Sequence, residues 1–179
     1  MGCWTPVEYF DPDFEASWHV THAEADGSAF DVVFETERVG RVMWSLTGRH
    51  NVCNALGALA AARHAGVPPA VGIEAQGEFR NVKRRMELRG EVRGVRVYDD
   101  FAHHPTAIST TLEGLRRHVG EQRILAVLEP RSNTMRMGVH ADTLADSLSL
   151  ADEVWVYAPD SLGWDAASVL GDLGRRLHV

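Results

Sequence analysis

The spacing of apolar residues changes character along the chain. Between residues 18 and 46 it is short: Trp18-His19-Val20-Thr21, Phe30-Asp31-Val32-Val33-Phe34-Glu35 and Arg41-Val42-Met43-Trp44-Ser45-Leu46 are β-prone runs. Asp26-Gly27 and Val39-Gly40 supply turn signals between them, so an antiparallel meander is expected. From residue 49 the period lengthens. Val52, Leu56 and Leu59 share one face of a helix predicted over 49–66, alanines fill the rest, and Gly66 is placed as its C′ residue. Val67-Pro68-Pro69 opens a new segment, 70–78 reads as a short helix or connector, and a domain boundary is expected there, dividing 1–78 from 79–179.

Beyond the boundary, Arg84-Arg85-Met86-Glu87-Leu88 alternates as a strand with Arg85 and Glu87 on one face. Gly90 and Arg93-Gly94 predict a hairpin into a strand over Val95–Asp99. Ile108, Leu112, Leu115 and Val119 form a helical stripe that stops at Gly120, and Ile124-Leu125-Ala126-Val127-Leu128 is the continuous apolar run of a central parallel strand. A helix at Ala141–Leu148, a strand at Val154–Tyr157 and a helix at Ala166–Leu177 complete a β-α-β-α-β-α order. That order predicts an α/β fold, with a Rossmann-like doubly wound sheet in the second half and a β-rich, helical first half.

Composition narrows the partners. Hydrophobic residues make up 45% and charged residues 24% of 179, an ordinary globular balance. A net charge of -7 argues against a nucleic-acid partner, while the local cluster Lys83-Arg84-Arg85 leaves small anionic ligands open. No apolar run approaches the ~20 residues that span a bilayer, so no membrane partner is expected. Trp4, Glu8 and Asp11 do not make a signal peptide. Cys3 and Cys53 give no disulfide framework, and Cys53 falls within an apolar helical pattern. Cytoplasm is the expected compartment. The opening Met1-Gly2-Cys3-Trp4 reads as a start partway through a domain.

The chemistry concentrates in Asp99-Asp100-Phe101-Ala102-His103-His104-Pro105, two carboxylates at a strand's end and two imidazoles on the following loop. Ligands of open α/β sheets bind beyond the carboxyl ends of strands, although Asp and Pro also make ordinary surface turns. A second polar loop follows the apolar run at 124–128 and carries Arg131, Asn133 and Arg136. Paired arginines suit a carboxylate, an Asp at a strand end suits a ribose, and His can orient or deprotonate an amine. A divalent metal held by the two carboxylates and two imidazoles is the rival reading, weakened by the lack of a second Asp/His cluster. Arg85 is suited either to phosphate contact or to a surface salt bridge. Asn51 and Asn54 lie three apart beside His50, as an N-cap and its neighbour or as amides flanking a purine. His118 and His140 read as isolated surface residues. No phosphate loop of the Gly-x-x-x-x-Gly-Lys-[Ser/Thr] type occurs, so any ATP phosphate grip must precede residue 1.

Three stretches, Gly48-Arg49-His50-Asn51-Val52-Cys53-Asn54, Phe79 through Arg84-Arg85-Met86-Glu87, and Asp99 through Pro105, resemble the Mur ligase family. These ATP-dependent enzymes add amino acids or peptides to the UDP-muramyl precursor of peptidoglycan. Gly2 through Glu8, Val82 through Glu87 and Leu128-Glu129-Pro130-Arg131-Ser132-Asn133-Thr134-Met135 resemble the peptide-adding branch. The alanine-adding branch has Tyr where Phe101 stands and Pro-His-Arg where this chain has Pro-Arg-Ser-Asn. The resemblance implies that 1–78 is the tail of a central ATPase domain and 79–179 most of an acceptor-binding C-terminal domain that stops early.

It also implies ATP and Mg2+ as cofactors, with the magnesium ligands upstream of residue 1 and no metal ligand in this chain. The implied substrates are UDP-N-acetylmuramate and the tripeptide L-alanyl-γ-D-glutamyl-meso-diaminopimelate, recycled from the wall. Residue by residue, Asn51 and Asn54 with His50 would meet adenine, Arg85 the phosphates and Asp100 the ribose. His103, Arg131 and Arg136 would meet the acceptor, His103 as the catalytic residue, with His104 and Asn133 beside them. Such a fragment is expected not to turn over alone. Two other classes stay open: a non-catalytic nucleotide- or peptide-binding module, and a metal-dependent phosphoesterase.

Overall fold

The computed structural model describes residues 4–14 and 16–179; the expected abrupt opening at 1–3, including Cys3, lies outside the described residues. The chain divides into two compact units, Met1–Asn81 and Val82–Val179.

In the first unit β1 (Trp18–Thr21), β2 (Ala29–Phe34) and β3 (Glu37–Met43) form the expected antiparallel meander in the order β1-β2-β3. One face packs Trp18, Phe30, Val32 and Val42 against Val52, Leu56 and Leu59 of α1 (Arg49–His64) and Ile73 of α2 (Pro69–Glu78). On the other face Asp31 is buried and accepts from Arg38 at 2.9 Å and Arg41 at 3.1 Å. Val39-Gly40 is not a turn. The hairpin closes at Glu35-Thr36, because Phe34 pairs with Glu37 and Glu35 takes a left-handed φ of 54°. Gly40 lies within β3, where a Cβ would come within 2.8 Å of Ile73 Cδ1, so its smallness serves the helix packed on the strand. β3 also stops at Met43, short of Leu46, as the Trp44 indole donates to the Gly27 carbonyl at 2.9 Å. Gly66 acts as expected: at φ 92° its N–H reaches Arg63 O while Val67 N–H reaches Ala62 O, closing α1 with paired carbonyls.

The second unit mixes a hairpin and a small parallel sheet. β4 (Glu87–Val92) pairs antiparallel with β5 (Val95–Asp99), and α3 (Pro105–Val119) follows. β6 (Leu125–Leu128), β7 (Glu153–Val156) and β8 (Leu177–His178) form a parallel sheet in the order β6-β7-β8. Between them lie α4 (Asn133–Arg136), α5 (Ala141–Ser147) and α6 (Ala166–Val169). The mixed α/β character holds, with two departures in detail. Among the described residues β5 gives its ladder bonds to β4 and not to β6, which leaves β6 at an edge of the parallel sheet. The helix expected over 166–177 breaks after Val169 into a 3₁₀ turn at Gly171–Arg176. Gly174 at φ 57° then turns the chain into β8.

Ile108 and Leu112 of α3, Leu144 of α5 and Leu170 pack onto Leu128, Val154 and Val156 of the sheet. The sheet's other face exposes Leu125, Val127, Trp155 and Tyr157, with Trp155 stacked on His178 at 4.1 Å. At the amino ends of β6 and β7, Arg116 donates to the carbonyls of Gly120, Gln122 and Leu150 and to Asp152, whose carboxylate also caps the Ile124 N–H.

Candidate functional site

In the first unit, His50, Asn51 and Asn54 occupy the first turns of α1. Neither asparagine is the N-cap. That place is Gly48, at φ 94°, where a backbone without a side chain passes close to Gly27. The Asn51 amide donates to Thr47 O at 2.8 Å, which fixes its orientation and leaves its carbonyl oxygen to accept. Asn54 is exposed one turn on, and His50 is exposed between Arg49 and Asn51. An open cleft of about 810 Å³ in this unit is lined by Met43, Trp44, Ser45 and the segment 77–80, and none of the three residues lines it.

In the second unit the polar residues of 84–87 and 99–104 interlock. Arg84-Arg85-Met86 is not strand: β4 begins at Glu87, and both Arg84 and Met86 take left-handed φ values of 59° and 47°. The cause is local. Glu87 accepts the Arg84 N–H at 3.0 Å and Asp100 accepts the Met86 N–H at 2.9 Å, so carboxylates replace the strand partners. Arg85 therefore projects from a tight turn and does not share a strand face with Glu87. The Arg84 N–H, with Arg89 and Lys83 adding positive charge, holds the Glu87 carboxyl below its usual range.

The adjacent aspartates diverge. Asp99 faces Arg84 Nε at 3.5 Å, while both oxygens of Asp100 accept backbone N–H groups, Met86 on one and Ala102 at 2.8 Å on the other. A carboxylate oxygen offers two lone pairs, so Asp100 is pinned in place and can still accept from a ligand hydroxyl. The histidines diverge as well. His103 Nδ1 lies 3.0 Å from Phe101 O; a carbonyl cannot donate, so Nδ1 donates and, in the neutral ring, Nε2 is the acceptor. His104 Nδ1 accepts from Thr106 N at 3.2 Å and caps α3, so its proton sits on Nε2.

His140 is not isolated. Its ring meets that of His104 edge-on, with centroids 4.4 Å apart. This contact joins the loop after β5 to the segment that carries α4. There Ser132 caps the short helix through Met135 N, and Trp164 Nε1 donates to Met135 O at 2.6 Å. Arg131, Asn133 and Arg136 are exposed, and no side-chain hydrogen bond ties the two guanidinium groups to the described residues. The paired arginines are thus open to carboxylates of a ligand. His118 is exposed near the end of α3, away from these loops in sequence.

Sequence reasoning singled out Arg85, Asp100, His103 and His104, left Arg84 as one of a basic cluster, gave Phe101 no role at the site and read His140 as an isolated surface residue. The guanidinium carbons of Arg84 and Arg85 lie 5.0 and 5.9 Å from the Phe101 ring centroid, and His103 meets the same ring at 5.1 Å. An aromatic between acidic and imidazole residues was the available signal. Among the described residues no group of three or more His, Cys, Asp or Glu side chains is placed to hold a metal ion.

A loop cluster of this kind, with one carboxylate pinned by amides and a guanidinium pair beside an imidazole, offers groups suited to a polar, anionic ligand. The profile of the Mur ligase glutamate ligase domain matches residues 84–179. The chain belongs to the Mur ligase family. It is 52% identical over 170 residues, 94% of this chain and 37% of the relative, to the Escherichia coli (strain K12) UDP-N-acetylmuramate--L-alanyl-gamma-D-glutamyl-meso-2,6-diaminoheptandioate ligase. Among solved structures, a murein peptide ligase from Psychrobacter arcticus 273-4 is 45% identical with a TM-score of 0.64, covering 96% of this chain and 36% of that one. The UDP-N-acetylmuramate-alanine ligase of Thermotoga maritima superposes with a TM-score of 0.76 at 25% identity, over 96% of this chain and 38% of that one. The chain thus spans under two fifths of the length of these relatives.

Proposed function

We propose that this chain is part of an ATP-dependent amide ligase that joins the tripeptide L-alanyl-γ-D-glutamyl-meso-diaminopimelate to UDP-N-acetylmuramate, in the cytoplasm, where both substrates are soluble. The observation that carries the reading is the 99–104 loop, in a chain half identical to a relative whose name states this acceptor. No helix of the described residues is long and apolar enough to cross a membrane, which accords with that compartment.

ATP, with Mg2+, supplies the phosphoryl group that turns the muramyl carboxylate into an acyl phosphate. This chain's residues bind and orient around that chemistry. Arg85, on its tight turn, offsets phosphate charge, and Asp100 accepts from a ribose hydroxyl with the lone pairs its backbone amides leave free. His50, Asn51 and Asn54 present the amide and imidazole edges that suit a purine. The acceptor's amine attacks the acyl carbon, phosphate departs, and the ammonium proton passes to Nε2 of His103, the catalytic residue of this reading. Arg131 and Arg136 grip the peptide carboxylates, with His104 Nε2–H and Asn133 as further donors. The gain comes from positioning.

The test uses a longer protein that contains this chain. Arg85→Ala and Asp100→Ala should each abolish tripeptide-dependent phosphate release, and unchanged rates would refute the assignments. The high TM-score to the alanine-adding enzyme gives a second reading with the same chemistry and L-alanine as acceptor. Comparing the two amines as acceptors separates them. The 179 residues alone are expected not to turn over, for want of a phosphate loop.

A further inference from the structure

We propose that Phe101 is a positioning residue whose ring sets the direction of the Arg84 and Arg85 guanidinium groups toward a bound polyphosphate. The inference rests on the reading that Arg85 meets the ATP phosphates, and it adds Arg84 as a second cation and Phe101 as the part that aims both.

Three observations converge on the ring. The Phe101 N–H donates to Arg84 O at 2.8 Å, so the backbone of the arginine turn is fastened to the residue that carries the ring. The two guanidinium carbons lie 5.0 and 5.9 Å from its centroid, within the range where the ring's negative face attracts a cation. His103 flanks the ring at 5.1 Å and donates to the Phe101 carbonyl at 3.0 Å, which closes the loop behind it. Yet Phe101 is 47% exposed and absent from the buried core of its unit. An aromatic held at the surface by backbone bonds, with guanidinium groups gathered on it, is not explained by core packing.

Two adjacent arginines repel each other, and long side chains on a turn sample many rotamers. A ring that both cations share offsets part of the repulsion and restricts the rotamers before an anion arrives. That is preorganisation, and it raises affinity without adding a contact to the ligand. Asp99, 3.5 Å from Arg84 Nε, restrains the same guanidinium.

The test uses the 179-residue chain, with tripolyphosphate as the probe and the arginine Nε–Hε resonances as the readout. In the unsubstituted chain the Arg84 Hε resonance should be displaced by the ring current, and tripolyphosphate should shift both arginine signals. Phe101→Leu should remove the ring-current displacement and weaken tripolyphosphate about threefold to tenfold, whereas Phe101→Tyr should keep both. Arg84→Gln should weaken the probe to a similar degree, and Arg84→Gln with Phe101→Leu should cost less than the two combined, because they act as one unit. Unchanged backbone amide spectra confirm the fold of each variant. Full tripolyphosphate affinity in Phe101→Leu, or additive losses in the double variant, would overturn the positioning role and leave the Arg85 reading standing. No response of Arg85 to tripolyphosphate in the unsubstituted chain would overturn both.

Discussion

His103 and His104 are neighbours that use the same ring nitrogen in opposite senses: Nδ1 of His103 donates to Phe101 O, and Nδ1 of His104 accepts from Thr106 N. Their remaining nitrogens therefore differ, a bare Nε2 on the first and an N–H on the second. Two identical side chains become one acceptor and one donor through backbone contacts alone.

The His104 contact is also a helix cap, so His104→Ala should lower the stability of the second unit by about 0.5–2 kcal/mol. His104→Asn, a good cap, should recover most of it. Urea midpoints of the two variants check this, and equal losses would show that the ring contact with His140 matters more than the cap.

Asp100 is as much a structural acceptor as a candidate ligand contact. Asp100→Ala leaves the Met86 and Ala102 amides without their partner and should cost about 1–3 kcal/mol. Hydrogen exchange at those two amides should speed up markedly, with amides of the first unit unchanged. A loss of ligase activity in this variant must be read beside that exchange, and Asp100→Asn, which keeps one accepting oxygen, is the gentler probe.

In the first unit Arg38, then Arg41, hold the buried Asp31 carboxyl far below the usual carboxylate range against the opposing effect of burial. The folded value is lower than the unfolded one, so the stabilisation is complete above the unfolded range near pH ~4 and is lost as pH falls towards the folded value. Asp31→Asn should flatten the acid limb of the first unit's stability below about pH 4, measured by denaturation at pH 7 and pH 3. A parallel acid limb in the variant would count against the pair.

Among the described residues Arg131 and Arg136 carry no side-chain bond, so Arg131→Ala and Arg136→Ala should change stability by no more than about 0.5 kcal/mol. In a longer protein that contains this chain, the same variants should raise KM for the peptide acceptor and leave the muramyl substrate's KM near its original value. A large drop in thermal midpoint would show a packing role instead.

The periodicities placed most elements because α1, α3 and β7 bury one clear face each, and β1 and β2 are short β-prone runs bounded by turns. Misplacements have specific causes. Val39-Gly40 resembles a turn, but its glycine answers to Ile73, a residue more than thirty positions on. Arg84-Arg85-Met86 alternates like a strand, yet the carboxylates of Glu87 and Asp100 capture its amides, a contact between segments that local spacing does not encode. The pattern at 166–177 has helical spacing through Leu170 and Leu173, yet the α-helix ends at Val169 and Gly174 turns the chain into β8. At the candidate site the residue types were legible, because paired Asp, His and Arg are rare together. The division of labour within each pair was not, since it depends on which backbone group each ring or carboxylate meets.

Arg116 ties together the carbonyls of Gly120, Gln122 and Leu150 and the Asp152 carboxylate at the amino ends of β6 and β7. The loop with Arg131 and Arg136 emerges from the opposite end of β6. On the proposed reading, cohesion and acceptor choice are thus assigned to different ends of the same small sheet. If Arg131 and Arg136 meet the acceptor as proposed, substitutions that retune which amine is accepted can accumulate at one end while a single guanidinium ties the other. A lineage could shift its acceptor in this way without first having to relearn how to fold.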